Sequence, residues 1–253
     1  MKEEMHENVD AILKSHSYRL AAEDLDFLLR TELRPVRLQL ELLKPEMLLE
    51  EAGVKSTVVV FGGTQIAPLE ESRRALDQIK AKLERSPADA RLQREASRAE
   101  RVVEKANFYE AAREFGKIVS NYQKKQEPGE FVVTTGGGPG IMEAANRGAY
   151  EVGAKSIGLN ITLPHEQTPN PFITPSLCFQ FHYFALRKMH FLLRAKALVV
   201  FPGGFGTLDE LFDALTLRQT KRMQEIPIIL YGREYWKSVV NFQFLADEGV
   251  IAD

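Results

Sequence analysis

The residues best placed to do chemistry are Pro-Gly-Gly-Phe-Gly-Thr-Leu-Asp-Glu at positions 202–210. They follow an apolar run at 197–201 and open an amphipathic stretch near Thr207. This pattern predicts a strand, a glycine turn and a helix start, with Thr207 or Asp209 as the cap. Such a turn exposes backbone N–H groups at the positive end of a helix, which favours a phosphate or another anion.

The carboxylate of Glu210 lies in the same turn. A cradle for phosphate alone does not need a fixed acid beside it, because the acid would repel the ligand. The pairing therefore indicates a phosphorylated substrate whose neighbouring atoms need an acid, a base or a stabiliser of positive charge.

A second candidate is the pair Arg187 and Lys188, in a predicted helix over 184–195. Adjacent helical residues point about 100° apart, so the two cations are not expected to share one contact. The arginine fork matches phosphate or carboxylate, and the alternative is a solvated basic pair. Lys188 could form a Schiff base, but nothing else in the sequence supports pyridoxal phosphate.

The proline-rich loop after 156–161 contains Glu166, which could bind ribose hydroxyls or a base through charge-assisted hydrogen bonds. We interpret His165 as structural. His182 and His190 are eight residues apart and no carboxylate pattern completes a ligand set, so neither a metal nor a cofactor is expected.

Short apolar runs alternate with helical stretches and predict an α/β fold, a Rossmann-like doubly wound parallel sheet. The predicted strands cover 57–61, 131–135, 156–161, 177–181, 197–201 and 227–231. Glycine turns at 62–63, 136–140 and 203–206 follow three of them. In such a sheet they point toward one crevice, unless they only permit tight turns. Neither Walker A nor G-x-G-x-x-G is matched, which argues against a P-loop ATPase or a dehydrogenase.

Two regions differ in pattern. Residues 1–52 predict a helical N-terminal extension, in which Pro45 opens a last short helix, and residues 53–253 predict the Rossmann-like catalytic domain. Within that domain, 70–126 is charged and helical. A break at Ser86 and Pro87 predicts either two helices or one helix with a helical-hairpin insertion. A final helix is predicted over 234–247.

Composition restricts the function classes. The 253 residues carry a net charge of -2, so no global basic field for nucleic acid is expected. The single cysteine, Cys178, excludes an internal disulfide and suits a reducing cytoplasm. No apolar run reaches membrane-spanning length and the N-terminus is polar, so we expect a cytoplasmic protein without a membrane partner.

Four motifs occur in order: Gly-Gly-Gly-Pro-Gly-Ile-Met-Glu at 136–143, Leu-Pro-His-Glu-Gln at 163–167, Arg-Lys at 187–188, and the 202–210 segment. Together they resemble the Lonely Guy family of nucleoside 5′-monophosphate phosphoribohydrolases, often mislabelled lysine decarboxylases, over residues 55–247. The resemblance implies a Rossmann-like fold, a homodimer or larger homo-oligomer, and a pocket completed across the dimer interface. It also implies a nucleotide substrate, AMP or an N6-substituted AMP.

Carried over residue by residue, the resemblance makes Arg187 and Glu210 the catalytic pair. Its implied substrate-binding residues are Gly137, Gly138, Glu166, Lys188, Gly203, Gly204, Phe205, Gly206, Thr207, Asp209 and Thr216. The N-terminal extension and the 70–105 segment depart from the compact plant-type members, as does the loop at 163–167. Longer bacterial members, for which AMP is a plausible substrate, are more similar, and these carry a further strand beyond the position of Asp253.

Three hypotheses of function remain open at this point. The first is a hydrolase of the N-glycosidic bond that releases base and ribose 5-phosphate. The second is a non-catalytic protein that binds a nucleotide or a phosphorylated cofactor. The third is a decarboxylase, which would need pyridoxal phosphate. Arg187 together with Glu210 favours the hydrolase.

Overall fold

The computed structural model describes residues 2–164 and 168–251. The chain forms two compact units, Met1–Lys44 and Pro45–Asp253. The secondary structure described in the first unit is all helical, with turns between the helices. It contains α1 (Lys2–Lys14), α2 (Leu25–Leu28), two 3-10 turns (His16–Tyr18 and Thr31–Leu33) and the beginning of α3 (Arg34–Glu51). Arg37 donates to the carbonyls of Leu28 and Arg30, at 2.6 and 2.7 Å, and so ties α3 to the preceding turn.

The second unit is built on six parallel strands in the order β4-β3-β2-β1-β5-β6. The strands are β1 (Thr57–Phe61), β2 (Val132–Thr135), β3 (Ser156–Ile161), β4 (Cys178–Phe181), β5 (Ala195–Val200) and β6 (Ile228–Leu230). Strand order grows in one direction from β1 to β4 and then reverses to β5. The predicted doubly wound, Rossmann-like sheet is confirmed, and its switch point lies between β1 and β5.

Helices connect and cover these strands. They are α4 (Leu69–Arg85), α5 (Ala90–Glu104), α6 (Ala106–Gln123), α7 (Ile141–Glu151), α8 (Phe184–Leu193), α9 (Phe205–Gln219), α10 (Arg233–Val239) and α11 (Phe242–Asp247), with a 3-10 turn at Pro175–Leu177. Val60, Val133 and Val199 form a core cluster with residues of α6 and α7. Strands covered on both faces by helices need continuous apolar runs, which explains why sequence pattern located them.

Two local predictions were wrong, and a third holds in one of its two alternatives. Pro45 lies inside α3 and does not open a helix, because it is buried and packing continues the helix past the missing N–H. The charged segment forms three helices, because the chain also breaks at Lys105; α4 and α5 pack on each other ahead of α6, so the alternative of one helix with a helical-hairpin insertion is confirmed and that of two helices is wrong. The final helix ends at Val239 and restarts at Phe242, where the Asn241 side chain accepts from Phe244 N–H at 3.0 Å.

Helix α8 is held on the sheet from two sides. The ring of Phe191 meets Phe61 of β1 edge-on, with centroids 4.9 Å apart. Glu46, in the part of α3 that belongs to the second unit, lies 3.1 Å from His190 Nδ1 and accepts from Arg194. These contacts fix the helix that carries Arg187. Within the described residues, no helix has the length and apolar character needed to cross a membrane.

Candidate functional site

A cleft of about 360 Å³ opens at the carboxyl ends of β1 and β5, the position where open α/β sheets bind ligands. Two main-chain bonds join its turns: Gly63 N–H donates to Pro202 at 2.9 Å, and Ile141 N–H donates to Gly63 at 3.2 Å. The cleft is lined by Phe61, Gly62, Gly63, Thr64, Gly136, Met142, Asn160, Ile161, Leu163, Phe184, Arg187, Gly204, Phe205, Gly206, Thr207 and Glu210.

Helix α9 begins in this cleft, but not as predicted. Its N-cap is Gly204, without a side-chain cap bond in the described structure, so the prediction of Thr207 or Asp209 as the cap was wrong. The Thr207 side chain instead turns back on Gly203, where an added Cβ would lie 2.2 Å from Thr207 Oγ1. The first helical bond runs from Leu208 N–H to Gly204. The preceding N–H groups, 205–207, are therefore available to an anion.

The loop before α9 is anchored from behind by α10. Tyr235 Oη donates to the Gly203 carbonyl. The neighbouring Trp236 Nε1 donates to Val200 at 3.2 Å and to Tyr231 at 3.0 Å, which fixes α10 on the end of β5. A loop held in this way has its conformation fixed before any ligand arrives.

Arg187 and Glu210 are the two charged residues among the described residues that line the cleft. Arg187 Nη2 lies 3.0 Å from Glu210 Oε1, and the two side chains are only 12% and 13% exposed. The guanidinium also lies over the rings of Phe184 and Phe191, at 5.1 and 5.6 Å. Arg187 Nε is buried with no hydrogen-bond partner in the described parts of the chain. A buried, unsatisfied donor beside an ion pair suits a ligand that brings an acceptor.

Burial dominates the electrostatics of this pair. Desolvation raises the pKa of Glu210 to about 7; the negative charge of Asp209 adds to the rise, whereas the attraction of Arg187 opposes it. The pKa of Arg187 is lowered, again by burial first, against the attraction of Glu210. Both groups are thus displaced toward their neutral forms. Glu210 can exist with or without its proton near neutral pH, as a general acid or base requires.

The adjacent cation contacts a different carboxylate. Lys188 Nζ lies 2.7 Å from Asp209 Oδ1, and Asp209 is 53% exposed. Lys188 lines a second groove of about 840 Å³ between α8 and α9 and does not line the cleft. The helical spacing of Arg187 and Lys188 predicts separate contacts, and the two ion pairs have that arrangement.

The structure brings six of the predicted site residues together in the cleft: Arg187, Gly204, Phe205, Gly206, Thr207 and Glu210. Gly203 lies directly behind them. Gly137 and Gly138 follow Gly136, which lines the cleft. Thr216 is exposed further along α9, where its hydroxyl donates to Phe212 at 2.7 Å. Glu166, with His165, lies outside the described residues.

A buried polar network holds the second glycine turn. Gly137 N–H donates to Thr135 Oγ1 at 2.9 Å, and Asn170 N–H donates to the Gly137 carbonyl at 2.8 Å. The Asn170 amide also donates to Gly138 and Asn146, at 3.1 and 3.0 Å. A fully bonded network of this kind fixes a loop as firmly as secondary structure does.

The cleft residues that sequence reasoning did not assign to the site include Thr64, Met142, Asn160 and Phe184. For Asn160 a signal existed, because it is a polar residue near the carboxyl end of a mostly apolar strand. The other three have types that are common in loops and cores. Their role depends on which elements the fold places side by side.

The fold and site define a Rossmann-like protein with an uncapped helix N-terminus and a buried Arg–Glu pair at the switch point. Residues 142–253 match the family model described as "possible lysine decarboxylase". Two curated relatives are similar. The cytokinin riboside 5′-monophosphate phosphoribohydrolase LOG of Oryza sativa subsp. japonica is 31% identical over 152 residues, 59% of each chain. The pyrimidine/purine nucleotide 5′-monophosphate nucleosidase of Escherichia coli (strain K12) is 30% identical over 132 residues, 48% of this chain and 28% of that one.

The molybdenum cofactor binding protein of Rippkaea orientalis is a solved structure with 18% identity and a TM-score of 0.44, over 75% of this chain and 85% of that one. The alignments span less than two thirds of the length of these curated relatives. The family model and the two relatives confirm the resemblance to the Lonely Guy family that the motifs indicated.

Proposed function

We propose that this protein hydrolyses the N-glycosidic bond of a purine nucleoside 5′-monophosphate, AMP or an N6-substituted AMP, to free base and ribose 5-phosphate. One observation carries the proposal: the buried pair of Arg187 and Glu210 lies in the same cleft as the uncapped start of α9. An anion site alone would not need the carboxylate. The printed names of the two relatives, a phosphoribohydrolase and a nucleosidase, support the same reaction class.

In the proposed mechanism, the N–H groups of residues 205–207 bind the 5′-phosphate. The ribose then lies beside Glu210, at the second turn of α9. As the base departs, positive charge builds on the ribose, and the Glu210 carboxylate stabilises it or accepts a proton from the attacking water. Water adds hydroxide to the sugar carbon, and the base leaves with a proton. Arg187 orients the substrate and holds Glu210 in place.

The two other hypotheses fit the site less well. A non-catalytic carrier would need the anion site but not a buried carboxylate whose pKa is raised to about 7. A decarboxylase that uses pyridoxal phosphate would need a lysine in the cleft. No lysine occurs among the described residues that line it, and the Lys188 ammonium is paired with Asp209 outside. The residues present do not fit that cofactor.

We propose further that the active form is a homodimer at least. The exposed faces of α8 and α9 carry large apolar side chains: Phe184, Met189, Leu193 and Phe212 are 49%, 46%, 53% and 40% exposed. The second groove lies between these helices and is lined by both apolar and charged residues. Exposed apolar side chains rimmed by polar ones are typical of an interface. The resemblance implies the same assembly.

The test is direct. Purified protein is incubated with AMP, GMP, CMP, UMP and an N6-substituted AMP, and free base is detected by chromatography with ribose 5-phosphate by a reducing-sugar assay. Release of both products in equal amounts is expected from wild type and not from Glu210→Gln. If calorimetry shows that the nucleotide binds but no base is released, the result favours the non-catalytic carrier over the hydrolase.

A further inference from the structure

We propose that Asn160 recognises the base of the nucleotide and makes the site selective for a 6-amino purine over a 6-oxo purine. This inference rests on the proposed nucleotide substrate and adds the residue that determines its base. Three polar side chains without charge line the cleft in the described structure: Thr64, Asn160 and Thr207. Thr207 is buried against Gly203 at the phosphate end. Asn160 is the one carboxamide among them.

Asn160 lies at the end of the cleft away from the anion site. It is next to last in β3, whereas the anion site follows β5, and the sheet order places β2 and β1 between them. Three strand spacings make about 14 Å. That span suits an extended nucleoside monophosphate with its hydrogen-bonding partners at each end. Phosphate at α9 and ribose at Glu210 then direct the base toward Asn160, between the apolar side chains of Met142, Ile161 and Phe184.

The Asn160 side chain lines the cleft and, within the described structure, keeps an unbonded donor. Its Oδ1 accepts weakly from Cys178 Sγ at 3.7 Å and lies against Gly137, where an added Cβ would be only 1.9 Å from Oδ1. Gly137 also has φ of +73°, a conformation that glycine adopts without strain. Across residues 2–164 and 168–251, Nδ2 has no hydrogen-bond partner. The glycine turn thus makes room for the amide, and a ligand can satisfy it.

The chemistry of a carboxamide favours adenine. Asn presents one donor and one acceptor side by side, which match the N7 acceptor and N6 donor of adenine as a bidentate pair. A 6-oxo purine presents two acceptors on that edge, so one of the two amide groups would be left unpaired. To form this pair, the Asn160 amide turns so that Oδ1 leaves its weak contact with the Cys178 thiol and accepts from the adenine amino group.

The experiment compares AMP with IMP, which differ at the 6-position. kcat/KM is measured for both nucleotides with wild type, Asn160→Leu, Asn160→Ala and Gln180→Leu. Gln180 is the matched control: it is a carboxamide that pairs in register with Asn160 on β4 but does not line the cleft. We expect kcat/KM of the wild-type protein to be about 10-fold or more higher for AMP than for IMP. In both Asn160 variants kcat/KM for AMP should fall, so that the values for the two substrates differ by no more than about 3-fold. Gln180→Leu should keep the wild-type preference.

Binding separates this inference from the proposed reaction. The dissociation constants of AMP and IMP are measured by calorimetry for the wild-type protein, for the Glu210→Gln protein and for Glu210→Gln combined with Asn160→Leu. If AMP binds more tightly than IMP and Asn160→Leu removes this difference, base recognition by Asn160 is supported. If, in addition, none of the proteins releases base, only the hydrolase proposal fails. The assignment is overturned if a folded Asn160 variant loses affinity for AMP and IMP equally. It is also overturned if Gln180→Leu removes the preference for AMP.

Discussion

The Arg187 guanidinium and the Glu210 carboxylate lie 3.0 Å apart with both side chains almost fully buried, yet burial outweighs their attraction and shifts both pKa values toward the neutral forms. The free-energy cost of removing two charges from water is generally as large as the gain from pairing them, so such a pair is weak evidence for stability. Perturbed groups in a cleft are instead typical of functional sites. The following predictions start from this pair.

Glu210→Gln and Arg187→Ala should each lower turnover of AMP by about 10²-fold or more, the usual scale for a positioned acid–base or electrostatic group. Gln keeps the size of Glu210 but removes the charge that, in the proposed mechanism, stabilises the ribose. Arg187→Ala should also weaken AMP binding more than Glu210→Gln does, because it removes a cation from the site. Steady-state kinetics and calorimetry measure the two effects. A folded Glu210→Gln protein with wild-type turnover would remove the catalytic role.

Lys188→Ala provides the matched comparison for Arg187→Ala, since the two residues are neighbours on α8. Lys188 pairs with an exposed carboxylate outside the cleft, and such pairs contribute little. We expect its kcat/KM for AMP to stay within about 3-fold of wild type. The resemblance assigns Lys188 to substrate binding, so a loss as large as that of Arg187→Ala would favour that assignment over the geometry.

Much of this site could be predicted from the sequence because its scaffold is local. Apolar runs that end in glycine turns locate the carboxyl ends of parallel strands, and the fold brings these ends to one edge. Arg187 and Glu210 were predictable as a pair only through the resemblance. Residues 23 apart in the chain meet because α8 and α9 cover the same face of the sheet, and no local spacing encodes that contact.

Other features could not be predicted because tertiary contacts outweigh local preference. Thr207 has a good capping side chain, but its hydroxyl packs against Gly203, so α9 starts two residues earlier than the pattern indicates. Pro45 usually ends or opens a helix, yet burial carries α3 through it. Asn160 acquires its place in the cleft from the neighbouring turn at Gly137. In each case tertiary packing determines the local structure, and the sequence alone does not show that packing.

The proposed dimer predicts a defined mass and a defined way to disrupt it. Light scattering at micromolar concentration should give at least twice the 28.6 kDa chain mass. Met189→Glu, on the exposed face of α8, should shift the protein toward monomer by placing a charge in the apolar interface. Glu70→Lys on exposed α4 serves as a control for a surface charge change. A monomeric wild-type protein with full activity would contradict the dimer.

The raised pKa of Glu210 predicts how activity varies with pH. The carboxylate form is needed to stabilise a cationic ribose or accept a proton, and it is populated above the pKa of about 7. kcat/KM for AMP should therefore fall as pH decreases through 7, by about tenfold at pH 6 relative to the alkaline plateau. Because the AMP phosphate itself titrates near pH 6, the residual activity of Glu210→Gln provides the control. A flat wild-type profile between pH 6 and 8 would argue against an ionising Glu210.

The last prediction concerns the anion site at α9 and the residue that holds it. If the N–H groups of residues 205–207 bind the 5′-phosphate, adenosine should have a kcat/KM about 10²-fold or more below that of AMP, since several charge-assisted hydrogen bonds are lost. Equal values for the two substrates would exclude this role for the loop.

Tyr235→Phe refines that prediction, because it removes the hydroxyl that donates to the Gly203 carbonyl and leaves the ring in place. Its expected effect is a KM for AMP raised by about 3- to 10-fold, the scale of one hydrogen bond, with kcat little changed. Adenosine makes no use of the loop, so its kcat/KM should not respond to the substitution. A general loss of folding would lower kcat/KM for both substrates together and shift the melting temperature. A change confined to AMP would show that Tyr235 acts by positioning the phosphate loop.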